Sequence, residues 1–195
     1  RVWDLTNNTS RVLNGHNYGV YSAVKLNETT IVSGSYREVR VWDLTSNTCV
    51  AVLNGRTHFV YSVMKLNDTT IVSGSDDRTL RVWNLTNNTS RVLNGHTDIV
   101  YSVIKLNETT IVSGSEDNTL RVWDLTNNTS RVVNGHTGTV TSVIKLNETT
   151  IVSGSADETL RVWDLTKKFA PEDISGINSD IDSINSGSDY DSDDY

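Results

Sequence analysis

The sequence predicts an all-β protein in which one four-stranded unit is repeated along the chain. The first observation is a regular spacing within the chain, since equivalent glycines and tryptophans recur every 40 residues: Gly15, Gly55, Gly95, Gly135 and Trp83, Trp123, Trp163. A fixed period of this length is typical of stacked supersecondary units. The second observation is composition, with a single Pro and many Val, Ile and Thr residues, which favour strands.

The third observation is the pattern within one unit. In the third unit, four strand-length runs are predicted at 89–93, 100–106, 110–113 and 120–125, and turn-forming residues lie between them at 94–96, 107–108 and 116–118. Four short antiparallel strands in about 40 residues describe one blade of a β-propeller. Such a blade cannot cover both of its own faces, so it must pack against neighbouring blades.

Charge and composition exclude several classes of protein. The net charge is −7, but residues 166–195 hold eight acids against Lys167 and Lys168, which leaves only −1 for the rest of the chain. A nucleic-acid-binding surface would appear as a basic patch, so no nucleic-acid partner is expected. No apolar run approaches the length of about 18 residues that spans a membrane, and no signal peptide opens the chain. The single Cys49 favours a reducing compartment, either the cytoplasm or the nucleus.

Three motifs recur in the units: Gly-His at the start, Ser-Gly-Ser-x-Asp in the middle and Trp-Asp at the end. Together they resemble the WD40 repeat family. The resemblance covers residues 1–166, with repeats at about 9–44, 48–85, 89–125 and 129–165 after a partial repeat at 1–5. The chain starts inside this partial motif and without Met, so we expect it to be an excerpt of a longer product that has further N-terminal domains.

The resemblance implies a hydrogen-bonded network in each blade that links the turn Asp, the Gly-His histidine, a strand Ser and the Trp indole. The corresponding side chains are His96, Ser113, Asp117 and Trp123 in the third unit and His136, Ser153, Asp157 and Trp163 in the fourth. The sequence leaves open whether Ser113 or Ser115 belongs to the network. The first unit has no turn Asp, and the second has Arg56 in place of the histidine. These departures put two of the four networks in question and predict looser blades there.

The number of blades in the ring stays open at this point. In the family, the first strand of a repeat is the outer strand of the preceding blade, so the last blade lacks its outer strand. Residues 9–13 could supply that strand and close a four-blade ring. The alternatives are a partial ring and half of an eight-blade homodimer.

Catalysis, metal binding and cofactor binding are not expected. His16, His96 and His136 occur once per unit, so they would lie on separate blades and could not converge on one metal ion. Candidate nucleophiles such as the Ser-Gly-Ser serines are likewise repeated in strands. A propeller-type enzyme or a metal-binding propeller is the alternative, and a structural array without a ligand is a third.

The functional prediction comes from positions that vary between the repeats. In the family, such positions resemble the rim around the central channel, where partners dock. The predicted rim residues are aromatic, apolar or acidic: Tyr21, Tyr36, Phe59, Tyr61, Asp76, Ile99, Tyr101 and Glu116. They predict a noncatalytic scaffold that binds a protein or peptide, such as the substrate-recognition part of an F-box-type or other adaptor. The opposing interpretation is that the aromatics only cover the blade ends.

The C-terminal segment, residues 167–195, is rich in Ser and Asp and has few apolar residues. This composition predicts a disordered acidic tail. Ser179, Ser186 and Ser188 resemble acidophilic kinase sites, and a solvated spacer is the alternative.

Overall fold

A computed structural model describes residues 1–167 of the chain, and its secondary structure consists of strands and turns without helices. The predicted tail beyond Lys167, including the kinase-like sites at Ser179, Ser186 and Ser188, lies outside the described residues. The strands are β1 (Val2–Asp4), β2 (Thr9–Arg11), β3 (Ser22–Lys25), β4 (Thr30–Gly34), β5 (Tyr36–Asp43), β6 (Thr48–Asn67), β7 (Thr70–Ser75), β8 (Leu80–Asn84), β9 (Thr89–Leu93), β10 (Val100–Lys105), β11 (Thr110–Ser115), β12 (Leu120–Asp124), β13 (Thr129–Val133), β14 (Val140–Lys145), β15 (Thr150–Ser155) and β16 (Leu160–Asp164).

The strands form four successive propeller blades, all with antiparallel pairing. Blade 3 shows the complete pattern, with β10, β11 and β12 from one repeat and the outer strand β13 from the next. Blade 2 consists of the second part of β6 with β7, β8 and β9, and blade 1 of β3, β4, β5 and the first part of β6. Blade 4 has β14, β15 and β16 alone, so it lacks an outer strand among the described residues, as the sequence predicts.

Blades 1 and 2 share one continuous strand, which the sequence did not predict. The first repeat has a turn one residue shorter than the others, and β5 therefore starts at Tyr36 and pairs with β6 as far as Phe59. Pairing over this length keeps the connection between the two blades extended, so β6 runs for 20 residues.

Residues 1–167 form a partial ring, and no pairing among them closes a four-blade ring. The strand that closure required, β2, pairs with β1 in the register Val2↔Arg11, Trp3↔Ser10 and Asp4↔Thr9. This is the register of β12 and β13 in blade 3. Residues 1–6 and 161–166 have the same sequence, RVWDLT. Because of this identity, β1 already occupies the place beside β2 that closure would give to β16.

The hydrophobic core lies between the blades. One cluster combines Val32 and Val39 of blade 1 with Val60, Val63 and Ile71 of blade 2, and equivalent clusters join blades 2 and 3 and blades 3 and 4. Burial of these apolar faces is the main stabilising contribution, at about 25 cal/mol for each Å² removed from water. A blade therefore depends on its neighbours for stability.

A glycine in the middle strand lets adjacent blades approach closely. A Cβ atom added to Gly34, Gly74 or Gly114 would lie 2.6, 2.8 or 2.7 Å from a Cγ1 atom of the valine that begins the next blade. No real Cβ tolerates such a distance, so the glycine of each Ser-Gly-Ser segment forms a cradle for that valine.

No helix among residues 1–167 is long and apolar enough to cross a membrane.

Candidate functional site: blade networks and an aromatic rim

The third repeat contains a continuous hydrogen-bonded network. His96 Nδ1 lies 2.7 Å from Asp117 Oδ2, and His96 Nε2 lies 2.7 Å from Ser113 Oγ. Since a carboxylate only accepts, Nδ1–H donates to Asp117 and Nε2 accepts the Ser113 hydroxyl proton. The Trp123 indole then donates to Ser113 Oγ over 2.8 Å. Ser115 has a different role, since its hydroxyl donates to the carbonyl of Asp98.

The fourth repeat has the same arrangement. His136 lies 2.7 Å from both Asp157 Oδ2 and Ser153 Oγ, and the Trp163 indole donates to Ser153 over 2.7 Å. His136, Ser153 and Trp163 are buried. Every buried polar group named here thus has a partner, which favours one rigid blade conformation.

The first repeat, whose network the sequence put in question, also has one. Glu38 takes the role of the turn Asp: His16 Nδ1 lies 2.6 Å from Glu38 Oε1, and His16 Nε2 lies 2.7 Å from Ser33 Oγ. Trp42 donates to Ser33 over 2.8 Å. The extra methylene of Glu gives its carboxylate the reach that the shorter turn removes.

The second repeat, whose network the sequence also put in question, keeps it with arginine in place of histidine. The buried Arg56 donates from Nη2 to Ser73 Oγ over 2.8 Å and from Nη1 to Asp77 Oδ1 over 2.8 Å. Trp83 donates to the same Ser73 hydroxyl oxygen over 2.8 Å. Arg56 therefore bridges Ser73 and Asp77 as histidine bridges their counterparts in the other repeats.

The residue after each Trp lies outside this network. Asp124 Oδ1 accepts from the Thr126 amide over 2.8 Å, and Asn84 Oδ1 accepts from the Thr86 amide over 2.9 Å. Both side chains stabilise the following turn through an oxygen atom. Asn84 in place of Asp consequently leaves the second network intact.

The networks hold their carboxylates in the ionised form. Burial alone would raise the pKa of Asp117, but hydrogen bonds from His96 and Thr119 outweigh it and lower that pKa. Burial would also raise the pKa of Asp77, but the charge of Arg56 outweighs it and lowers that pKa. The pKa of Glu38 is lowered because hydrogen bonds from Arg40 and His16 outweigh its burial. Burial lowers the pKa of Arg56 to about 10, so this side chain stays charged at neutral pH.

The histidines of the networks are separated on different blades. Among residues 1–167, no group of three or more His, Cys, Asp or Glu side chains has the geometry to hold a metal ion.

Six aromatic side chains from the first three repeats form one connected row, which we call the aromatic rim: Tyr18, Tyr21, Tyr36, Phe59, Tyr61 and Tyr101. Tyr21, Tyr61 and Tyr101 lie at equivalent positions of blades 1, 2 and 3. The ring centroid of Tyr61 is 5.2 Å from that of Tyr21 and 5.1 Å from that of Tyr101. Phe59 lies 5.4 Å from Tyr21 and 4.8 Å from Tyr36. Tyr18 extends the row, with its ring centroid 4.8 Å from that of Tyr36.

The two ends of the rim differ in charge. At one end, the Tyr101 hydroxyl donates to Glu116 over 3.0 Å; burial and this carboxylate raise the pKa of Tyr101 to about 12. Burial and nearby Asp76 also raise the pKa of Tyr61. At the other end, the Arg37 guanidinium lies 4.9 Å from the centre of the Tyr36 ring. The rim therefore has an acidic end and a basic end.

Main-chain hydrogen bonds fix the predicted acids relative to the innermost strands. The Asp76 amide donates to the Phe59 carbonyl over 2.9 Å, and the Glu116 amide donates to the Ile99 carbonyl over 2.8 Å. Asp76 and Glu116 are thus equivalent in blades 2 and 3. Ile99 corresponds to Phe59, and it places an aliphatic side chain where the neighbouring repeat has a ring.

An open cleft of about 270 Å³ lies at the Arg37 end of the rim. Sequence reasoning did not find it, because its walls come from two repeats. The residues that line it are Asn17, Tyr18, Tyr36, Arg37, Glu38 and Asn54.

Blades of four antiparallel strands, repeated around an arc with one Trp-centred network each, define a β-propeller repeat protein. The family model described as "WD domain, G-beta repeat" matches residues 7–43, 47–84, 87–124 and 127–164. The chain therefore belongs to the WD40 repeat family. Domains of this family are generally noncatalytic scaffolds that bind proteins or peptides.

Solved structures show the same fold. A structure of U3-55K is similar with a TM-score of 0.75 and 22% identity, over 80% of this chain and 52% of that one. A crystal structure of RRP9 WD40 repeats is similar with a TM-score of 0.75 and 23% identity, over 80% of this chain and 51% of that one. The chain thus spans about half of the length of these structures. A search of the curated proteins found no match.

Proposed function

We propose that this protein is a noncatalytic scaffold that binds an extended protein segment or peptide along the aromatic rim. The observation that carries the proposal is the unbroken contact of six rings across three blades. Rings that pack against one another are held in place before a ligand arrives, so little conformational entropy is lost on binding. Tyrosine also combines apolar area with a polar hydroxyl, which suits a surface that meets both water and a partner.

The charges beside the rings specify the ligand further. Asp76 and Glu116 lie next to Tyr61 and Tyr101, and this combination of carboxylates and aromatic faces attracts a Lys or Arg side chain. Arg37 at the opposite end suits an acidic group. We therefore infer that the preferred segment carries a basic residue at one end and an acidic residue at the other.

Selection from a library of short random peptides tests this proposal. We expect the selected peptides to be enriched in Lys or Arg, and their affinity to fall with increasing salt concentration. The Glu116→Gln variant should weaken binding of a selected basic peptide by about three- to ten-fold, because a partly exposed charge contributes about 1 kcal/mol. The Glu148→Gln variant removes a carboxylate remote from the rim and is the control. Equal affinity for both variants and the unchanged protein would contradict the proposed site.

A role as the substrate-recognition part of an F-box-type or other adaptor is a narrower form of the same proposal. It requires the rim to hold the recognised protein while a separate domain of the same product binds the rest of the assembly. If the protein is an adaptor, we expect two proteins to co-purify with it. Substitution of rim residues should abolish co-purification of the recognised protein and leave co-purification of the other unchanged.

A further inference from the structure

The blade-to-blade interface is repeated three times with the same contacts. A lysine at or near the end of the innermost strand donates to a leucine carbonyl of the preceding blade: Lys65 to Leu26, Lys105 to Leu66 and Lys145 to Leu106, over 2.5, 2.6 and 2.5 Å. The valine amide two residues before each lysine donates to a serine of the preceding blade, over 3.0 to 3.2 Å. The valine that begins the blade fills the glycine cradle described above.

Blade 4 presents one half of this interface on its open face, which we call the C face. Gly154 is the fourth cradle, Ser142 corresponds to the serines that accept the valine amides, and Leu146 corresponds to the leucines that accept from lysine. Leu146 is 56% exposed, whereas Leu26, Leu66 and Leu106 are 5 to 7% exposed. Leu160 is 76% exposed, although Leu80 and Leu120 at the same position are fully covered.

Blade 1 presents the other half on its open face, which we call the N face. Val20 corresponds to the cradle-filling valines and is 52% exposed, whereas Val60, Val100 and Val140 are 0% exposed. Ala23 supplies the amide that corresponds to those of Val63, Val103 and Val143, and Lys25 corresponds to the lysines that reach a leucine carbonyl. The N face thus has hydrogen-bond donors and a valine. The C face has the matching acceptors and the matching glycine cradle.

The hairpin of β1 and β2 precedes blade 1 in the chain and is poorly packed. Trp3 is 60% exposed, whereas Trp163, at the matching position of the identical sequence RVWDLT, is 4% exposed. Strand β16 has the residues to pair with β2 in the register that β1 now uses, and it would bring a well-packed tryptophan with it.

We propose that a second copy of this chain docks head to tail, with the C face of each copy against the N face of the other and β16 of one copy replacing β1 beside β2 of its partner. Two such junctions join two four-blade arcs into a closed eight-blade ring. This inference is independent of peptide binding at the rim.

Sedimentation equilibrium of the unmodified chain at micromolar concentration is the first test. We expect a mass of about twice 21.6 kDa that is independent of further increases in concentration, because a closed ring leaves no free face. A mass of 21.6 kDa at every concentration would overturn the proposal, whether the two ends meet within one chain or stay open. Masses that grow steadily with concentration would also overturn it, since they indicate open chains of copies.

Two charged substitutions establish which faces meet. Val20→Glu on the N face and Leu160→Glu on the C face should each weaken association by at least about ten-fold, because each buries an unpaired charge in the junction. Both residues are exposed within one copy, so the far-ultraviolet circular dichroism should not change. Val132→Glu, at a partly exposed position of blade 3, which presents neither open face, is the matched control and should associate normally.

A mixture of the two variants separates head-to-tail docking from other modes. The Val20→Glu copy keeps an intact C face, and the Leu160→Glu copy keeps an intact N face, so the mixture can form one junction although neither variant pairs alone. Recovery of a species of about twice the monomer mass in the mixture is the expected result. Failure to recover it, or normal pairing of either variant alone, would overturn the head-to-tail arrangement.

Discussion

Substitution of Arg56 tests whether the second repeat depends on its own form of the blade network. Arg56 is buried and donates from Nε and Nη2 to Ser73 Oγ, and from Nη1 to Asp77 Oδ1 and Thr79 Oγ1 over 2.8 and 2.7 Å. The Arg56→Ala variant leaves the largely buried Asp77 carboxylate without its cation. Breaking a buried ion pair in this way costs about 3 to 5 kcal/mol of unfolding free energy.

The natural variation between the repeats provides the matched variant. Arg56→His restores the residue that the other three repeats have, and a histidine can bridge Ser73 and Asp77 as His96 bridges Ser113 and Asp117. We expect this variant to lose less than about 2 kcal/mol. Arg11→Ala removes an exposed arginine and should change the unfolding free energy by less than about 0.5 kcal/mol.

Urea unfolding at neutral pH, monitored by tryptophan fluorescence and circular dichroism, gives the three free energies. The reasoning is refuted if Arg56→Ala lies within about 1 kcal/mol of the unmodified protein, or if Arg56→His is as damaging as Arg56→Ala.

Four further predictions concern stability. Trp123→Ala should destabilise by about 3 to 5 kcal/mol through cavity formation, and Asp117→Ala by about 1 to 3 kcal/mol because His96 loses its acceptor, both measured by urea unfolding. Asp117 and Asp77 have folded-state pKa values below their unfolded values, so their stabilising contribution is present above about pH 4 and is lost as the pH falls through the folded-state pKa. Urea unfolding measured from pH 6 to 2 should therefore show an unfolding free energy that decreases below about pH 5. An unfolding free energy that rises in this range would contradict the prediction. Glu158 has a φ of 68°, whereas the third repeat has Asn118 at this turn position with a φ of 65°. Because this left-handed conformation strains Glu more than Asn, Glu158→Asn should raise the unfolding free energy by about 0.5 to 1 kcal/mol. A decrease in the unfolding free energy would show that backbone strain is not the dominant effect.

Strand positions were predictable from sequence because turn residues interrupt each apolar run. In the third repeat, the predicted strand at 89–93 agrees with β9, and the other three differ from the observed strands by one or two residues at the C-terminal end. The glycine cradles were not predicted, although a glycine inside an otherwise apolar strand is a known sign of close backbone approach.

The networks show where residue identity misled the prediction. We required an Asp and a His at fixed positions, whereas the fold requires a carboxylate and a donor at fixed points in space. Glu38 reaches the first point across a shorter turn, and Arg56 reaches the second with a longer side chain. Side-chain length is visible in a sequence, so this compensation was detectable in principle.

The continuity of the aromatic rim was not detectable in this way. The sequence indicates that Tyr21, Tyr61 and Tyr101 are equivalent, but contact between them depends on the rotation from one blade to the next. The centroid distances of 5.2 and 5.1 Å come from that rotation. Phe59 joins these rings to Tyr36 because the shared strand β6 carries it to the end of β5.

The most direct test of the central claim is the affinity of a library-selected peptide for the double variant Tyr61→Ala/Tyr101→Ala, measured by isothermal titration calorimetry. Tyr61 and Tyr101 are half-buried and lie outside the blade networks, so the variant should remain folded. An aromatic anchor contributes about 2 kcal/mol or more, and we therefore predict an affinity at least about 30-fold below that of the unmodified protein. An unchanged affinity in the folded double variant would contradict the assignment of binding to the aromatic rim.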